Sequence, residues 1–261
     1  MIAMPDAVLE RPLTARSIIL SLLLGRRTAS ATVADLIRWC GLFEVPEGTV
    51  RVALSRAVGR GELELTDGSY VIVGRLDERR EEQEWALGFG AGAIETWDGT
   101  WRLALIDDGR RDAVDRGAFR QAAIRLHLIE LREGVWGRPD NLGRSPSPPA
   151  EVVVAAQATW WRGATPPGDQ RELVEQHYAT AALRDRGDTL HHRLVAVTAD
   201  LRPERLAEAF TVGAAVAQFL RRDPVLPADL LPDRWPGDDL RRAYAAYRRA
   251  FGPAVADWLS G

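Results

Sequence analysis

The 261-residue chain contains no lysine, and its only cysteine is Cys40. Every strongly basic side chain is therefore a guanidinium. A lone cysteine cannot form an internal disulfide, which suits a reducing compartment. Long apolar runs are also missing: the longest, SIILSLLLG at residues 17–25, is far shorter than the ~20 residues that a membrane-spanning helix needs. We therefore expect a cytoplasmic protein without a membrane segment.

Signatures of a leader, a catalytic centre or a metal site are missing as well. The start, MIAMPDAVLERP, has no basic region followed by an apolar core, so we expect no signal peptide. The histidines show no zinc-type spacing, and no G-x-S-x-G motif occurs. GFGAGA at residues 88–93 lacks the strand and helix that a dinucleotide fingerprint requires, so we interpret it as a linker. The sequence predicts no catalytic residue, no metal, no cofactor and no enzymatic activity.

Charge is distributed unevenly along the chain. Between Arg11 and Gly61 the sequence contains eight arginines and three acidic residues, a net charge of +5. Because the formal net charge of the chain is −3, the remaining residues carry a net charge of −8. A local basic segment on a negative protein favours local attraction to a polyanion. These arginines are Arg11, Arg16, Arg26, Arg27, Arg38, Arg51, Arg56 and Arg60.

The order of predicted elements is typical of an α+β protein. Helices and a hairpin fill residues 1–76, and a charged linker or connecting helix covers 77–95. Strands alternate with a helix over 96–168, and 169–261 is mostly helical, interrupted by the proline-rich DPVLPADLLPDRWPG. We predict one domain for each of the three longer segments.

The first segment has the order helix, helix, turn, helix, hairpin. TARSIILSLLLG, TVADLIRWCGLF and TVRVALSRAVGR have helical periodicity, and GELELTDGSYVIV alternates around Asp67-Gly68, which favours a type I′ turn. This order predicts a winged helix-turn-helix, whose third helix enters the major groove of DNA. Double-stranded DNA is therefore the expected partner.

On a helical wheel the third helix has an apolar face and an opposite face of arginine, hydroxyl and small side chains. Its arginines suit phosphates or guanine edges, whereas Glu62 and Glu64 limit contact by the hairpin. The helix alone also fits an ordinary surface helix with solvated arginines. The apolar face comprises Val50, Ala53, Leu54, Ala57 and Val58. The predicted DNA-binding residues are Thr49, Arg51, Val52, Ser55, Arg56 and Arg60 on the helix, and Ser69 and Tyr70 on the hairpin.

Several stretches along the chain resemble the PaaX family, bacterial repressors of phenylacetate-degradation operons. LLLGRR and CGLFEVPEGTVRVALSRAVGRGELE resemble the N-terminal winged helix of that family. WDGTWRLALID and LREGVWGRPDN resemble its central domain, and FLRRDPVLPADLLPDRWPG with AYAAYRRAFGPAVADWL resembles its C-terminal domain. The resemblance implies a homodimeric repressor with a ferredoxin-like central domain. It also implies release of DNA when an acyl- or aryl-coenzyme A effector such as phenylacetyl-coenzyme A binds. No effector-binding residue is identifiable in the sequence.

A two-fold repressor predicts an inverted-repeat operator. The alternative from another class is a metal-dependent nuclease. Asp107 and Asp108 close the first strand of the central domain, where paired oxygens suit Mg²⁺. A third alternative is an adaptor that uses the winged helix to contact protein.

Two further groups of residues fit either a ligand site or a structural role. Trp160, Trp161 and Arg162 suit stacking on a flat ligand, or an interdomain or dimer anchor. The arginine pairs at 221–222 and 241–242 suit coenzyme A phosphates, or solvated helix faces.

Overall fold

A computed structural model of the chain describes residues 13–25, 30–74, 82, 84–88, 94–107 and 112–260. It confirms the predicted α+β class. The helices are α1 (Ala15–Gly25), α2 (Val33–Gly41), α3 (Glu47–Gly59), α4 (Ala113–Arg125), α5 (Pro148–Ala155), α6 (Gln170–Tyr178), α7 (Thr180–Ala199), α8 (Leu206–Arg222) and α9 (Gly237–Ser260). The strands are β1 (Ser30–Thr32), β2 (Leu63–Thr66), β3 (Ser69–Ile72), β4 (Trp101–Ile106), β5 (Ile129–Arg132), β6 (Val135–Pro139) and β7 (Ala158–Ala164). Among the described helices, none is both long and apolar enough to cross a bilayer.

The chain packs as two compact units. The first unit comprises Met1–Leu87, Gly187–Arg221 and Asp238–Gly261, and the second unit comprises Gly88–Arg186 and Arg222–Gly237. Each unit therefore combines segments that lie far apart in the sequence. The domain boundaries that we expected from the sequence stay a prediction, because compact packing does not establish which segments fold independently.

Local signals determine the small elements of the first unit. Thr32 caps α2: its hydroxyl accepts from the backbone N–H of Asp35, and the Asp35 carboxylate accepts from the N–H of Thr32. This reciprocal pair is a capping box. Asp67 and Gly68 both have positive φ, 49° and 75°, as a type I′ turn requires. The turn joins β2 to β3, and β1 pairs with the other edge of β3, so the antiparallel order is β1-β3-β2.

The core of the first unit is centred on Trp39 of α2, whose side chain is fully buried. Phe43, Phe210, Phe251 and Trp258 surround its indole in edge-to-face geometry, with ring centroids 5.8, 5.4, 6.0 and 6.1 Å away. Edge-to-face pairs add about 0.5–1.5 kcal/mol each beyond the area that they bury. Because Phe210 lies on α8, and Phe251 and Trp258 lie on α9, the C-terminal helices share one core with α2.

The second unit is built on a four-stranded antiparallel sheet with the order β5-β6-β4-β7. Successive residues of β4 point to opposite faces. Ala104 packs with Phe119 of α4 and Val154 of α5, whereas Trp101 packs with Val174 of α6 and with residues from the segment after α8. Both faces of the sheet are therefore covered.

A buried arginine holds the segment after α8 in the second unit. The Arg138 side chain is 1% exposed and donates to the carbonyl of Val225 at 2.9 Å and to Oδ1 of Asn141 at 3.0 Å. Burial lowers the pKa of Arg138 to about 10, so the guanidinium stays charged at neutral pH. Val225 has a φ of 50°, a strained conformation for a β-branched residue. Two hydrogen bonds that the Val225 carbonyl accepts, and one that its N–H donates to Asp223, offset that strain.

We expect Trp39→Ala to lower the free energy of unfolding by about 3–5 kcal/mol, because the change leaves a cavity at the centre of the aromatic cluster. Urea unfolding followed by circular dichroism measures this. Trp161→Ala is the matched control, because the Trp161 side chain is 58% exposed and surface changes usually stay within about 0.5 kcal/mol. Equal effects of the two changes would contradict the role of Trp39.

Candidate nucleic-acid interface

Helix α3 is anchored by one face and exposes the other. Val50, Leu54 and Ala57 are buried in the core of the first unit. Val58, which we expected on the apolar face, is 41% exposed, because it lies at the C-terminal end of the helix, at the margin of the buried stripe. All six residues predicted to contact DNA from this helix are exposed: Thr49, Arg51, Val52, Ser55, Arg56 and Arg60. They form one surface, which we call the α3 face.

The three arginines of the α3 face differ in their partners. Arg51 forms an i,i+4 ion pair with Glu47, with a nitrogen–oxygen distance of 2.7 Å. Within the described residues, the side chains of Arg56 and Arg60 form no ion pair and no hydrogen bond. Arg60 follows the last turn of α3, where its backbone N–H bonds to the carbonyls of Arg56 and Ala57. Two guanidiniums on this face are therefore available to a partner.

The structure places the two predicted hairpin residues on the middle strand of the sheet. Ser69 and Tyr70 are half-buried in β3, with β1 on one side and β2 on the other. Tyr70 also packs against the core of the first unit. The sequence analysis missed β1, which is only three residues long and has no periodicity of its own.

Other arginines of the basic segment are engaged inside the first unit. Arg16 of α1 donates to Glu62 at the base of the hairpin at 2.9 Å and forms an ion pair with it. The hydrogen bond that Arg16 donates to Glu62 raises the pKa of Arg16. Arg38 lies 4.5 Å from the ring centre of Trp258 and donates to the carbonyl of Leu259 at 2.9 Å. Among the described arginines of the basic segment, Arg56 and Arg60 are thus the two whose side chains have no partner; Arg11, Arg26 and Arg27 lie outside the described residues.

The described part of the predicted nuclease site gives no support for metal binding. Asp107 accepts a hydrogen bond from the Thr159 hydroxyl at 2.8 Å, and Asp108 lies outside the described residues. Among those that are described, no group of three or more histidine, cysteine, aspartate or glutamate side chains is arranged to hold a metal ion.

Most residues of the two ambiguous groups have structural contacts. Arg102 stacks over Trp160 at 4.1 Å, and Arg162 forms an ion pair with Asp140 at 3.4 Å. Arg241 is 9% exposed and donates to the carbonyl of Ala86 at 3.1 Å, and Arg242 forms an ion pair with Asp239. Arg221 lines a cleft that is formed by α1, α8 and α9.

Comparison with known families identifies both ends of the chain. The family described as PaaX-like protein matches residues 14–73, and the family described as PaaX-like protein C-terminal domain matches residues 171–261. The chain belongs to the PaaX family. The N-terminal match contains the whole α3 face, and the C-terminal match contains α8 and α9, which pack around Trp39.

A solved structure resembles this PaaX-family chain over almost its whole length. It is an uncharacterized protein from Mycobacterium tuberculosis with 35% sequence identity and a TM-score of 0.67, and the match covers 96% of this chain and 100% of that one. No curated protein matches the chain significantly.

We expect Cys40 of this PaaX-family protein to be inert towards thiol reagents in the folded state. Its side chain is fully buried beside Trp39, and burial raises its pKa to about 11. Because the thiolate is the reactive form, a disulfide reagent should label no thiol in the native protein and one thiol per chain in concentrated guanidinium chloride. Rapid labelling of the native protein would contradict this burial.

Proposed function

We propose that this PaaX-family protein is a DNA-binding transcriptional regulator, a repressor that acts as a homodimer and responds to a small-molecule effector. Membership in the family suggests a transcriptional regulator of phenylacetate catabolism. The observation that carries the proposal is the α3 face: a helix anchored through Val50 and Leu54 exposes two guanidiniums without partners among the described residues.

The first unit supports assignment of a winged helix-turn-helix. Helices α1, α2 and α3 precede a hairpin whose second strand, β3, also pairs with β1. The second unit supports assignment of a ferredoxin-like domain: the order β4-α4-β5-β6-α5-β7 gives an antiparallel sheet β5-β6-β4-β7, with α4 and α5 on one face.

In the proposed complex, α3 lies in the major groove. Thr49 and Ser55 are small enough for close approach, and Val52, which is 50% exposed, suits contact with a thymine methyl group. Arg56 and Arg60 reach phosphates or a guanine edge, and Arg51 reaches phosphate from its pair with Glu47. Ser69 and Tyr70 remain proposed backbone contacts near the hairpin.

The proposed regulation requires two dimer geometries. A homodimer on an inverted repeat places two copies of α3 about one helical turn of DNA, or a multiple of it, apart. In the second dimer geometry, the two α3 helices are spaced so that they do not fit the operator. An effector releases DNA only if it binds this second geometry more tightly than the DNA-binding one. We propose an acyl- or aryl-coenzyme A thioester such as phenylacetyl-coenzyme A as this effector.

Fluorescence anisotropy with the DNA upstream of the protein's own gene tests this function. We expect salt-sensitive binding, because arginine–phosphate contacts release counterions, and we expect phenylacetyl-coenzyme A to weaken it. If the operator lies elsewhere in the genome, a selection from random-sequence DNA identifies the sequence that the protein binds. Failure of both to yield a salt-sensitive DNA complex would contradict the proposal.

We expect Arg56→Ala to weaken binding to the selected operator by about 1–3 kcal/mol if Arg56 contacts a base edge. Arg120→Ala is the matched control, since Arg120 is exposed on α4 of the second unit and should not change the affinity. Circular dichroism verifies that both variants fold. Equal affinities of the wild type and a folded Arg56→Ala variant would remove Arg56 from the α3 face that reads DNA.

A further inference from the structure

The first unit contains a cleft of about 620 Å³ between α1, α8 and α9. Ser21 and Leu22 contribute from α1, Ala214 and Ala217 from α8, and Tyr247 from α9. This volume lies within the ~300–1,000 Å³ that is usual for small-molecule sites. The described lining includes none of the residues that we assign to DNA binding.

One wall of the cleft is flat and aromatic. The rings of Tyr247 and Phe251 stack, with centroids 4.9 Å apart and planes 24° apart. The Tyr247 ring packs directly on Gly213 of α8: a Cβ atom there would lie 2.6 Å from the ring, so glycine is required at this point of the helix. Ala214 and Ala217 continue the wall with small side chains that leave the space open.

The charged side chains that line this apolar space all have one sign. Arg221, Arg248 and Arg249 line the cleft, and its described lining contains no aspartate or glutamate. Arg248 is paired with Glu84 at 3.0 Å, whereas within the described residues Arg249 has no ion pair and no hydrogen bond from its side chain. Burial raises the pKa of the Tyr244 phenol; the charges of Arg248 and Arg221 lower it, and the charge of Glu84 raises it.

We propose that this cleft binds a small amphipathic anion, with an apolar or aryl body against Tyr247 and Phe251 and a carboxylate or phosphate head among the arginines. The apolar wall suits the apolar body of such a ligand, and the arginines of the lining suit its anionic head. The site itself is independent of DNA binding; its regulatory consequence rests on the function proposed above.

The cleft is connected to the DNA-binding helices by two contacts within the first unit. Leu22 of α1 lines the cleft and is buried in the core that holds α2 and α3. Pro253, also in the lining, interrupts the hydrogen bonds of α9, because proline has no N–H to donate. Beyond it, Trp258 and Leu259 contact Arg38 of α2. A ligand in the cleft therefore contacts α1 directly. It affects α2 indirectly, through the contacts that the end of α9 makes with Arg38.

Binding is tested with 1-anilinonaphthalene-8-sulfonate, an aryl body with one anionic head, titrated into the full chain without DNA. We expect saturable fluorescence enhancement, lost in Ala214→Trp, which fills the cleft, and retained in Ala245→Trp, which adds the same bulk at an exposed position outside the lining. Absence of saturable binding, or equal binding by the wild type and a folded Ala214→Trp variant, would overturn the proposal.

The charge requirement is tested by Arg249→Gln, with Arg242→Gln as the control on the same helix. Arg242 is exposed, lies outside the lining and is paired with Asp239. Loss of a charge-assisted contact should weaken binding of the probe by ~tenfold for Arg249→Gln, while Arg242→Gln should change it less than ~twofold. Equal affinities of the two variants would remove the anionic head from the proposal.

Displacement of the probe distinguishes the sources of the anion. Phenylacetate tests a free carboxylate, coenzyme A tests the phosphate-bearing part, and phenylacetyl-coenzyme A tests the joined molecule. Displacement by the thioester alone assigns a thioester site, and displacement by phenylacetate assigns a carboxylate site.

A separate DNA titration distinguishes failure of the site from failure of the proposed function. The coupling predicts that the displacing ligand changes the operator affinity of the wild type and not that of Ala214→Trp. Ligand binding with no change in operator affinity would overturn the coupling. If the unliganded wild type bound no DNA, the proposed function would be wrong, whereas the probe titration would still decide the existence of the site.

Discussion

The packing of Trp39 is the interaction on which the rest of the first unit depends. Its indole lies between a ring from the turn after α2, one from α8 and two from α9. Within the described residues its Nε1 has no hydrogen-bond partner, so packing alone offsets the cost of burying this group. Helix α3 packs on the same core, and its orientation therefore depends on residues of α8 and α9, far along the chain from it.

This dependence gives the arginines of the basic segment different roles. Arg16 fixes the base of the hairpin through Glu62, and Arg38 joins α2 to the end of α9. Both guanidiniums are engaged within the protein, whereas Arg56 and Arg60 face outward from α3. Charge near an interface acts as a binding determinant when it is not already neutralised, which makes the α3 face the centre of the proposed contact with DNA.

The parts of the structure that sequence analysis could predict are those with local causes. Backbone preference determines the turn at Asp67-Gly68, and side-chain periodicity determines which face of α3 is buried, with Val58 as the exception at the helix end. The strand β1 was missed because its pairing with β3 is a long-range contact. The cleft was missed because its walls come from α1, α8 and α9, and no spacing within one segment indicates such a juxtaposition.

The helices of the proposed DNA-binding surface share one core with the C-terminal helices α8 and α9, and we expect that core to open cooperatively. Native-state hydrogen exchange tests this expectation, because it reports the free energy of local and global opening at each amide. We predict that buried amides around Trp39 in α2, Leu54 in α3 and Val216 in α8 exchange through one opening with a common free energy. Exchange of α2 and α3 through a lower-energy opening, while α8 stays protected, would show that the two sets of helices do not form one cooperative core.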